Sequence, residues 1–298
     1  MTQFLEAVIN GACVGAAYSL VGLGFVIIYK ATGVLNFAEG GMMLFGAYMA
    51  YNAHVTWGIP WYVSMAIAVA AGALLGAILE ETALRFLVGQ PVFAQIMVTI
   101  GLLFIIQEGL NLVWGGDALN MNDPWGLSTV TIFGAIVSWA YIWRLILAAI
   151  ALTAFFLFFR YSRFGTAMRA TAADQEAAMA QGISPNRVYL AAWAISGACA
   201  ALAGISFTTG SAQLQPTVQY VALAAFPAII LGGLDSPGGA VVGGLTVGIL
   251  QNLAAQYVPQ YFSWLGNGFD AVVPYLALLI ILLVKPYGLF GTKEVRRV

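Results

Sequence analysis

Residues 7–29, AVINGACVGAAYSLVGLGFVIIY, decide the fold class. Asn10 is the only strongly polar side chain in this stretch. A membrane-spanning helix needs about 20 mainly apolar residues, and this stretch is long enough. No Lys or Arg precedes it, and it is too long for the apolar core of a signal peptide. It therefore predicts a span that the mature protein retains.

Eight further apolar segments follow along the chain. They cover residues 36–51, 61–79, 92–114, 141–159, 188–207, 220–234, 237–255 and 269–284. Two are weak, because one contains Glu39-Gly40-Gly41 and the other is short and carries Pro227. The pattern predicts an all-α polytopic membrane protein with about eight or nine spans, including broken or re-entrant helices. Residues 1–298 form one transmembrane domain in this interpretation, and Leu127 to Ser138 form a short hairpin or surface loop.

The composition agrees with a chain whose solvent is lipid. Hydrophobic residues make up 61%, charged residues 8%, the net charge is −1 and the mean hydropathy is +0.90. Soluble domains contain roughly 25% charged residues, so a cytosolic enzyme is excluded. The 11 Lys and Arg form no block suited to nucleic acid. Cys13 and Cys199 lie in apolar runs and predict small buried side chains, with no disulfide or metal site.

Basic residues of short loops mark the cytoplasmic side of a membrane protein. With the N-terminus outside, ten of the eleven basic residues fall on the inner side, and only Arg144 lies toward the outside. The ten are Lys30, Arg85, Arg160, Arg163, Arg169, Arg187, Lys285, Lys293, Arg296 and Arg297. The bias predicts an outer N-terminus and a cytoplasmic C-terminus.

The chain contains no motif for chemistry of its own. The three lysines, Lys30, Lys285 and Lys293, do not fit a phosphate-binding G-x-x-x-x-G-K-[ST] loop. His54 is the single histidine, so a Ser/His/Asp set would need that outer-loop residue, and no His/Cys metal cluster exists. We therefore expect no enzyme activity and no cofactor bound by this chain.

The longest inner segment, residues 160–187, has its own helix signals. The Ala-rich stretch from Thr166 to Gln181 favours a short amphipathic helix. Gly182 suits the position after its end, and Ser184-Pro185 suits the start of the next span. A solvated loop and a docking helix for a cytoplasmic partner both fit this pattern.

Motifs spread along the chain resemble one transporter family. Asp174-Gln175-Glu176-Ala177-Ala178 with Gly182 resembles the Glu-Ala-Ala motif of ATP-binding-cassette importer permeases, and Arg163-Phe164-Gly165 with Arg169 resembles its form in branched-chain amino acid permeases of the LivH/LivM type. Val34 to Gly40 resembles their N-F-A-x-G segment. Leu231 to Ala240 and Lys285 to Gly291 resemble two further segments. Asp235 departs from the small residue common in that family's loop.

The resemblance implies a permease subunit that moves a small polar solute by alternating access. Branched-chain or related amino acids are the first expectation for that solute. It implies a bacterial inner-membrane location, a second identical or homologous permease, two cytoplasmic ATPase subunits that use ATP and Mg, and an extracytoplasmic substrate-binding protein. It assigns ATPase coupling to a helix at about 163–184, through Arg163, Phe164, Gly165, Arg169, Asp174, Glu176, Ala177, Ala178 and Gly182. An ion-gradient-driven transporter is the alternative function.

Polar residues inside apolar segments are the candidates for a substrate pathway. Asn36, Phe37 and Glu39 open the second segment, which we expect at the cytoplasmic end, where Glu39 either stabilises the first helical turn or lines the pathway. Mid-span Thr99 either lines a pathway or bonds to its own helix. The other candidates are Gln107, Glu108 and Asn111, late in the fourth span.

Two further expectations concern contacts between spans. Glu108 and Arg144 lie near the outer ends of consecutive spans, so they are candidates for an ion pair. Gly239-x-x-x-Gly243 and Gly244-x-x-x-Gly248 have the spacing of closely packed membrane helices. A discontinuous helix near substrate is the alternative for this glycine-rich region.

Overall fold

A computed structural model describes residues 2–210, 212–262, 264 and 268–291 of the protein. Among the described residues, six helices are long and apolar enough to cross a membrane. They are α1 (Thr2–Thr32), α3 (Trp61–Thr82), α4 (Val92–Trp114), α5 (Trp139–Tyr161), α8 (Pro185–Phe207) and α11 (Pro237–Tyr261). These helices make the protein a multi-pass membrane protein and confirm the all-α prediction.

Shorter helices lie between and after them: α2 (Glu39–Tyr51), α6 (Arg163–Ala173), α7 (Gln175–Ala180), α9 (Val221–Ala224), α10 (Phe226–Gly232) and α12 (Val273–Val284). A 3-10 turn at Pro216–Tyr220 precedes α9, so the segment that was predicted to be short and broken by Pro227 consists of three pieces. A π-helical turn, Asn52–Thr56, extends α2.

The predicted hairpin is present as β1 (Thr129–Ile132) and β2 (Ala135–Ser138). The strands are antiparallel, with Thr129 opposite Ser138 and Ile132 opposite Ala135. Phe133 and Gly134 form the two-residue turn, and both have positive φ angles of 50° and 85°. Positive φ at both central residues is typical of the tight turn whose twist matches that of the strands.

Helix α1 lies at the centre of the bundle, with 89% of its most apolar window buried. Helix α11 packs directly along it through glycines. A Cβ atom on Gly248 would be 2.4 Å from the Cα atom of Gly15, and one on Gly244 would be 2.3 Å from the Ser19 Oγ atom. The two backbones are in contact here, so close packing is the role of these glycines.

Contacts between loops define two ends of the bundle. At one end, which we call the hairpin end, Leu119 pairs with Leu214 and the Asp123 carboxylate accepts a 2.7 Å hydrogen bond from the Gly210 amide. His54 Nε2 lies 3.1 Å from the carbonyl oxygen of Asn122 at the same end. A Cβ atom on Gly134 of the hairpin would contact the Thr2 side chain, so the start of α1 also lies there.

The opposite end, the basic end, gathers the ends of the helices that carry cationic residues. Lys30 Nζ donates to the Asp235 carbonyl at 3.1 Å. The amides of Leu289 and Phe290 donate to the carbonyls of Leu231 and Gly232 at 2.8 and 3.0 Å, so two of the family-like motifs pack on each other.

Near the same end, hydrogen bonds from Arg85 to Glu80, at 2.9 and 3.2 Å, raise the pKa of the Arg85 guanidinium.

This grouping agrees with the alternation of spans predicted from the basic residues. Six of the basic residues assigned to one side lie at or beside helix termini of the basic end, and Arg169 lies within α6 at the same end; the six are Lys30, Arg85, Arg160, Arg163, Arg187 and Lys285. Lys293, Arg296 and Arg297 lie outside the described residues. The side of the membrane that each end faces stays a prediction from the charge bias.

Candidate functional site

The second apolar segment starts deep inside the bundle. After α1 ends at Thr32, residues 33–38 turn back, and α2 begins at Glu39. Its contacts fix the depth, because Glu39 bonds to Ser196, which lies eleven residues from both ends of α8. At 1.5 Å per residue this is about 16 Å from either end. The expectation that Asn36 and Glu39 open this segment at the cytoplasmic end is therefore wrong.

The Glu39 carboxylate is fully buried, with 0% of its surface exposed. Its Oε2 atom accepts hydrogen bonds from Ser196 Oγ at 2.7 Å and from Asn36 Nδ2 at 3.0 Å. Asn36 Oδ1 in turn accepts from the Ala38 amide at 3.0 Å, which holds the chain in the turn before α2. The Glu39 Oε1 atom has no hydrogen-bond partner among the described residues. The arrangement leaves one acceptor at mid-depth for a further donor.

Gly24 of α1 provides the space for this carboxylate. A Cβ atom on Gly24 would be 2.0 Å from Glu39 Oε1 and 3.0 Å from Ser196 Oγ. Three helices, α1, α2 and α8, therefore meet at one buried polar cluster, and the absence of a side chain on α1 is what lets them meet. Gly24 and Ser196 were not among the residues predicted from the sequence, since a small residue in an apolar helix carries no distinguishing signal.

A second polar contact lies on the other side of α2. Gln107 of α4 accepts a hydrogen bond from the side-chain amide of Gln219, which is only 2% exposed. A Cβ atom on Gly40 would be 2.5 Å from the Gln219 carbonyl oxygen, so this turn packs on the start of α2. Gln219 was not predicted from the sequence either, although it lies directly before a predicted broken span. The two broken segments therefore contact each other, as expected if both serve one site.

Two other candidates for the substrate pathway, Thr99 and Phe37, have contacts within the bundle that account for their positions. Thr99 Oγ1 bonds to the Gln95 carbonyl of its own helix at 3.0 Å and reaches the Leu35 carbonyl at 3.3 Å. Phe37 packs on the Phe226 ring, with ring centroids 5.7 Å apart. Both residues hold the turn before α2 in place, which is an indirect contribution to the site.

Glu108 lies on a face of α4 that the rest of the described chain does not cover. Only 17% of the most apolar window of α4 is buried, and Glu108 is exposed within that span. Its nearest polar partner is Asn111, whose Nδ2 atom is 3.4 Å from the carboxylate. Asn111 Oδ1 is buried and has no hydrogen-bond partner among the described residues. Together with Gln107, these side chains form a polar stripe near the hairpin end of α4.

The expected ion pair between Glu108 and Arg144 is not formed in the part of the chain that the structure describes. Arg144 is 4% exposed, and its Nε atom donates to the Ser206 carbonyl at 2.9 Å, at the end of α8. The guanidinium lies 4.9 Å from the ring centroids of both Tyr141 and Phe207. Carbonyl and ring faces therefore replace a carboxylate as partners of this cation.

The predicted coupling segment is two helices rather than one. Asp174 ends α6 with an extended backbone and begins α7, where its Oδ1 atom accepts from the Ala177 amide at 3.0 Å. Gly182 follows α7 with a φ of +81°, and the amide of Ile183 donates back to the Ala178 carbonyl at 3.1 Å. The predicted glycine stop is confirmed, and it has the hydrogen bonds of a helix-terminating left-handed turn. Ser184 and Pro185 then begin α8 as predicted.

Several predicted coupling residues fasten α6 to α5. A Cβ atom on Gly165 would be 2.1 Å from the Phe159 carbonyl oxygen, so only glycine fits. The Arg169 guanidinium donates to the same carbonyl, and Phe164 stacks on Phe158 with centroids 6.1 Å apart. Helix α6 is therefore packed directly on the end of membrane helix α5.

The predicted coupling residues divide into exposed and buried ones. Arg163, Asp174, Glu176 and Ala177 are exposed, as a docking surface requires. Ala178 is only 3% exposed and packs inside the chain, so its side chain is not on the surface that a partner would contact. Met179, which is 48% exposed, is an apolar side chain on the exposed surface of α7.

Comparison with known proteins identifies the family. The family described as "Branched-chain amino acid transport system / permease component" matches residues 7–284. The chain belongs to this permease family. No cluster of three or more His, Cys, Asp or Glu that could hold a metal ion occurs among the residues with described positions.

Relatives match along the whole length. The chain is 30% identical to the high-affinity branched-chain amino acid transport system permease protein LivH of Salmonella typhimurium, over 99% of this chain and 98% of that protein. It is 27% identical to BraD of Pseudomonas aeruginosa, a protein with the same description, over the same shares. The solved structure of PsaBC from Streptococcus pneumoniae in complex with Fab covers 96% of this chain with a TM-score of 0.51 at 12% identity, which shows a shared fold.

Proposed function

We propose that this permease is the membrane subunit of an ATP-driven importer for branched-chain or related amino acids in a bacterial inner membrane. It works with a second permease, two cytoplasmic ATPases that use ATP and Mg, and an extracytoplasmic binding protein. The observation that carries the proposal is the exposed α6–α7 pair at the basic end, in a chain of the permease family. Motion of an ATPase docked on this pair would pass directly into α5 and α8.

The substrate would pass along the open face of α4. An exposed carboxylate within a span is costly in lipid, so Glu108 requires protein, water or substrate beside it. A second permease on this face would cover the apolar part of α4 and leave the polar stripe lining a path. Alternating access would then involve α2, because the start of this helix lies between the polar stripe of α4 and the buried Glu39 cluster.

A bulky side chain placed on the exposed surface of α7 tests the coupling role. Ala177→Trp should reduce both ATPase co-purification and ATP-dependent uptake in vesicles, because the indole would occupy the contact surface. Thr82→Trp is the matched control, since it is exposed near the basic end but outside the segment. Normal ATPase retention and uptake by the Ala177→Trp protein would contradict the proposal. Ala178→Trp is unsuitable, because it would disturb the packing of this chain itself.

An ion-gradient-driven transporter is a second candidate, and one observation favours it. Such a transporter needs a carboxylate at mid-depth, and Glu39 occupies that position. Uptake that stops with a protonophore and persists after ATP depletion would support this candidate. Uptake that stops with ATP depletion in protonophore-treated vesicles would support the importer.

A further inference from the structure

His54 lies at the hairpin end of the bundle, where helix α2 ends. It is the single histidine of the chain and belongs to the π-helical turn Asn52–Thr56 that extends α2. Its half-buried ring lies beside Trp61 at the start of α3, with ring centroids 5.2 Å apart and an angle of 85° between the rings. None of the residue roles assigned above uses this side chain.

Both ring nitrogens of His54 lie against carbonyl oxygens. Nδ1 is 2.8 Å from the carbonyl oxygen of Ile59, and Nε2 is 3.1 Å from that of Asn122. A carbonyl oxygen only accepts hydrogen bonds, while a neutral imidazole has one N–H donor and an imidazolium has two. Only the protonated ring therefore satisfies both contacts. In a neutral ring, one nitrogen would direct its lone pair at an oxygen atom.

The two contacts hold different parts of the chain. Ile59 is five positions from His54, and its amide donates to the Ala53 carbonyl at 3.0 Å, so this contact lies within one local turn. Asn122 is 68 positions away, in the loop of residues 115–128 between α4 and the hairpin. We expect a neutral ring to keep its proton on Nδ1, because that contact is local and shorter. Loss of the second proton therefore removes the contact with the loop.

The loop of residues 115–128 covers part of the hairpin end. Leu119 pairs with Leu214 through two backbone hydrogen bonds of 2.8 and 2.9 Å. Asn122 has a φ of 49°, a left-handed conformation that asparagine adopts more readily than most residues, and its amide donates to Asn120 Oδ1 at 2.9 Å. The loop therefore has a defined turn that presents one carbonyl to the end of α2.

The charged surroundings of the ring are mainly acidic. The titratable and charged groups on the elements around it are Asp117 and Asp123 of the loop, Tyr51 and Tyr62 of α2 and α3, and Arg144 of α5. The Asp123 carboxylate follows Asn122 directly and accepts hydrogen bonds from three backbone amides. Arg144 is directed at the Ser206 carbonyl, and residues 52–64 and 115–128 contain no Lys or Arg. Negative charge nearby favours the protonated ring.

We propose that His54 is a proton-dependent latch between α2 and the loop of residues 115–128. The imidazolium holds the loop on α2, and the neutral ring releases it. The closed form binds the second proton more tightly than the open form, so closure is favoured at low pH and is lost as the pH rises through the ordinary range of histidine, near about 6.5. Because the hairpin end lies on the predicted outer side, the latch would respond to the external pH.

Hydrogen–deuterium exchange of the purified full chain measures the release of the loop. Exchange is compared at about pH 5.5 and about pH 8, on either side of the ordinary range of histidine, after division by the intrinsic rate at each pH. We expect exchange within residues 115–128 to be about tenfold faster at the higher pH, because a hydrogen bond to a charged donor is lost. Residues 285–291, whose amides bond to the α10 carbonyls, should show no such change and serve as the internal control.

Two variants tie the change to the ring. His54→Gln keeps an N–H donor but has no proton to lose, so exchange of the loop should no longer depend on pH. Asp117→Asn is the matched control, because it removes an exposed charge from the same loop and keeps the ring and both carbonyls, so the pH dependence should remain.

The ring is also measured directly in the unmodified chain. Because the chain has one histidine, a protein with ¹⁵N-labelled histidine and no polyhistidine tag gives the NMR signals of one ring. These signals should change from imidazolium to neutral imidazole over the pH range in which loop exchange rises.

Three results would overturn the proposal. The first is loop exchange in the unmodified chain that is the same at both pH values. The second is a pH dependence in His54→Gln equal to that of the unmodified chain. The third is a ring that is already neutral at about pH 5.5, below the ordinary range of histidine. None of these results depends on ATPase docking or uptake.

Discussion

Gly24→Ala tests whether the Glu39 cluster holds the centre of the bundle together. The new methyl group would be 2.0 Å from Glu39 Oε1 and 3.0 Å from Ser196 Oγ. A flexible carboxylate could move aside at a surface, but Glu39 is fully buried and bonded to Asn36 and Ser196. The substitution must therefore displace the carboxylate or separate α1 from α2 and α8.

The expected loss follows from the hydrogen bonds that are given up. A hydrogen bond contributes about 0.5–1.5 kcal/mol, and the Glu39 carboxyl group accepts two. Loss of both would destabilise the protein by about 1–3 kcal/mol. In a Glu39→Ala background only the 3.0 Å approach to Ser196 Oγ remains, so adding Gly24→Ala should cost little. The two substitutions should therefore show a coupling energy of about 1 kcal/mol or more.

The assay is thermal unfolding of the purified chain, with all four proteins of the cycle in one detergent. Gly101→Ala is the matched control, because Gly101 is a helical glycine within a span and a Cβ atom there has no neighbour within 4 Å. It should be neutral or slightly stabilising, since alanine favours helix over glycine. Additive losses from Gly24→Ala and Glu39→Ala would refute the reasoning.

Three further predictions test other contacts. Glu108→Gln and Arg144→Gln should have additive effects on uptake, because each residue has its own partners. A coupling energy above about 1 kcal/mol would contradict this and support a direct ion pair between the two residues. Cysteine at Thr56, but not at Gln181, should react with a membrane-impermeant reagent added outside, while the two native cysteines are buried; the reverse pattern would invert the topology. Gly76→Ala should destabilise by about 1–3 kcal/mol, because its Cβ would be 2.2 Å from the Trp193 carbonyl oxygen, and an unchanged unfolding temperature would contradict this contact.

Sequence alone predicted the features that depend on local chemistry. Hydropathy located the long spans, and the hairpin, the turn at Gly182 and the start of α8 follow from local residue preferences. Asn36, Phe37 and Glu39 were among the candidates from the sequence, although their depth in the bundle was not predicted. Depth depends on which helices lie beside the segment, and a capping carboxylate at the surface has the same local sequence as one in the core.

Long-range partners explain the remaining errors. Glu39 bonds to a serine 157 positions away, and Arg144 bonds to a carbonyl 62 positions away. A carbonyl acceptor is present at every residue, so no side-chain pattern could identify Ser206 as the partner of Arg144. Ala178 was misjudged for a similar reason, because burial of one side of a six-residue helix depends on what lies behind it.

The interrupted start of α2 has a consequence for biosynthesis. Glu39 emerges from the ribosome long before Ser196, and at roughly 5–20 residues per second the intervening 157 residues take roughly 8–30 s. During that interval a carboxyl group destined for mid-bilayer lacks one of its two donors, on a segment that begins at mid-depth and therefore does not span the membrane as α1 does. We therefore expect stable insertion of this segment to wait for α8, so that the order of membrane integration departs from the order of synthesis.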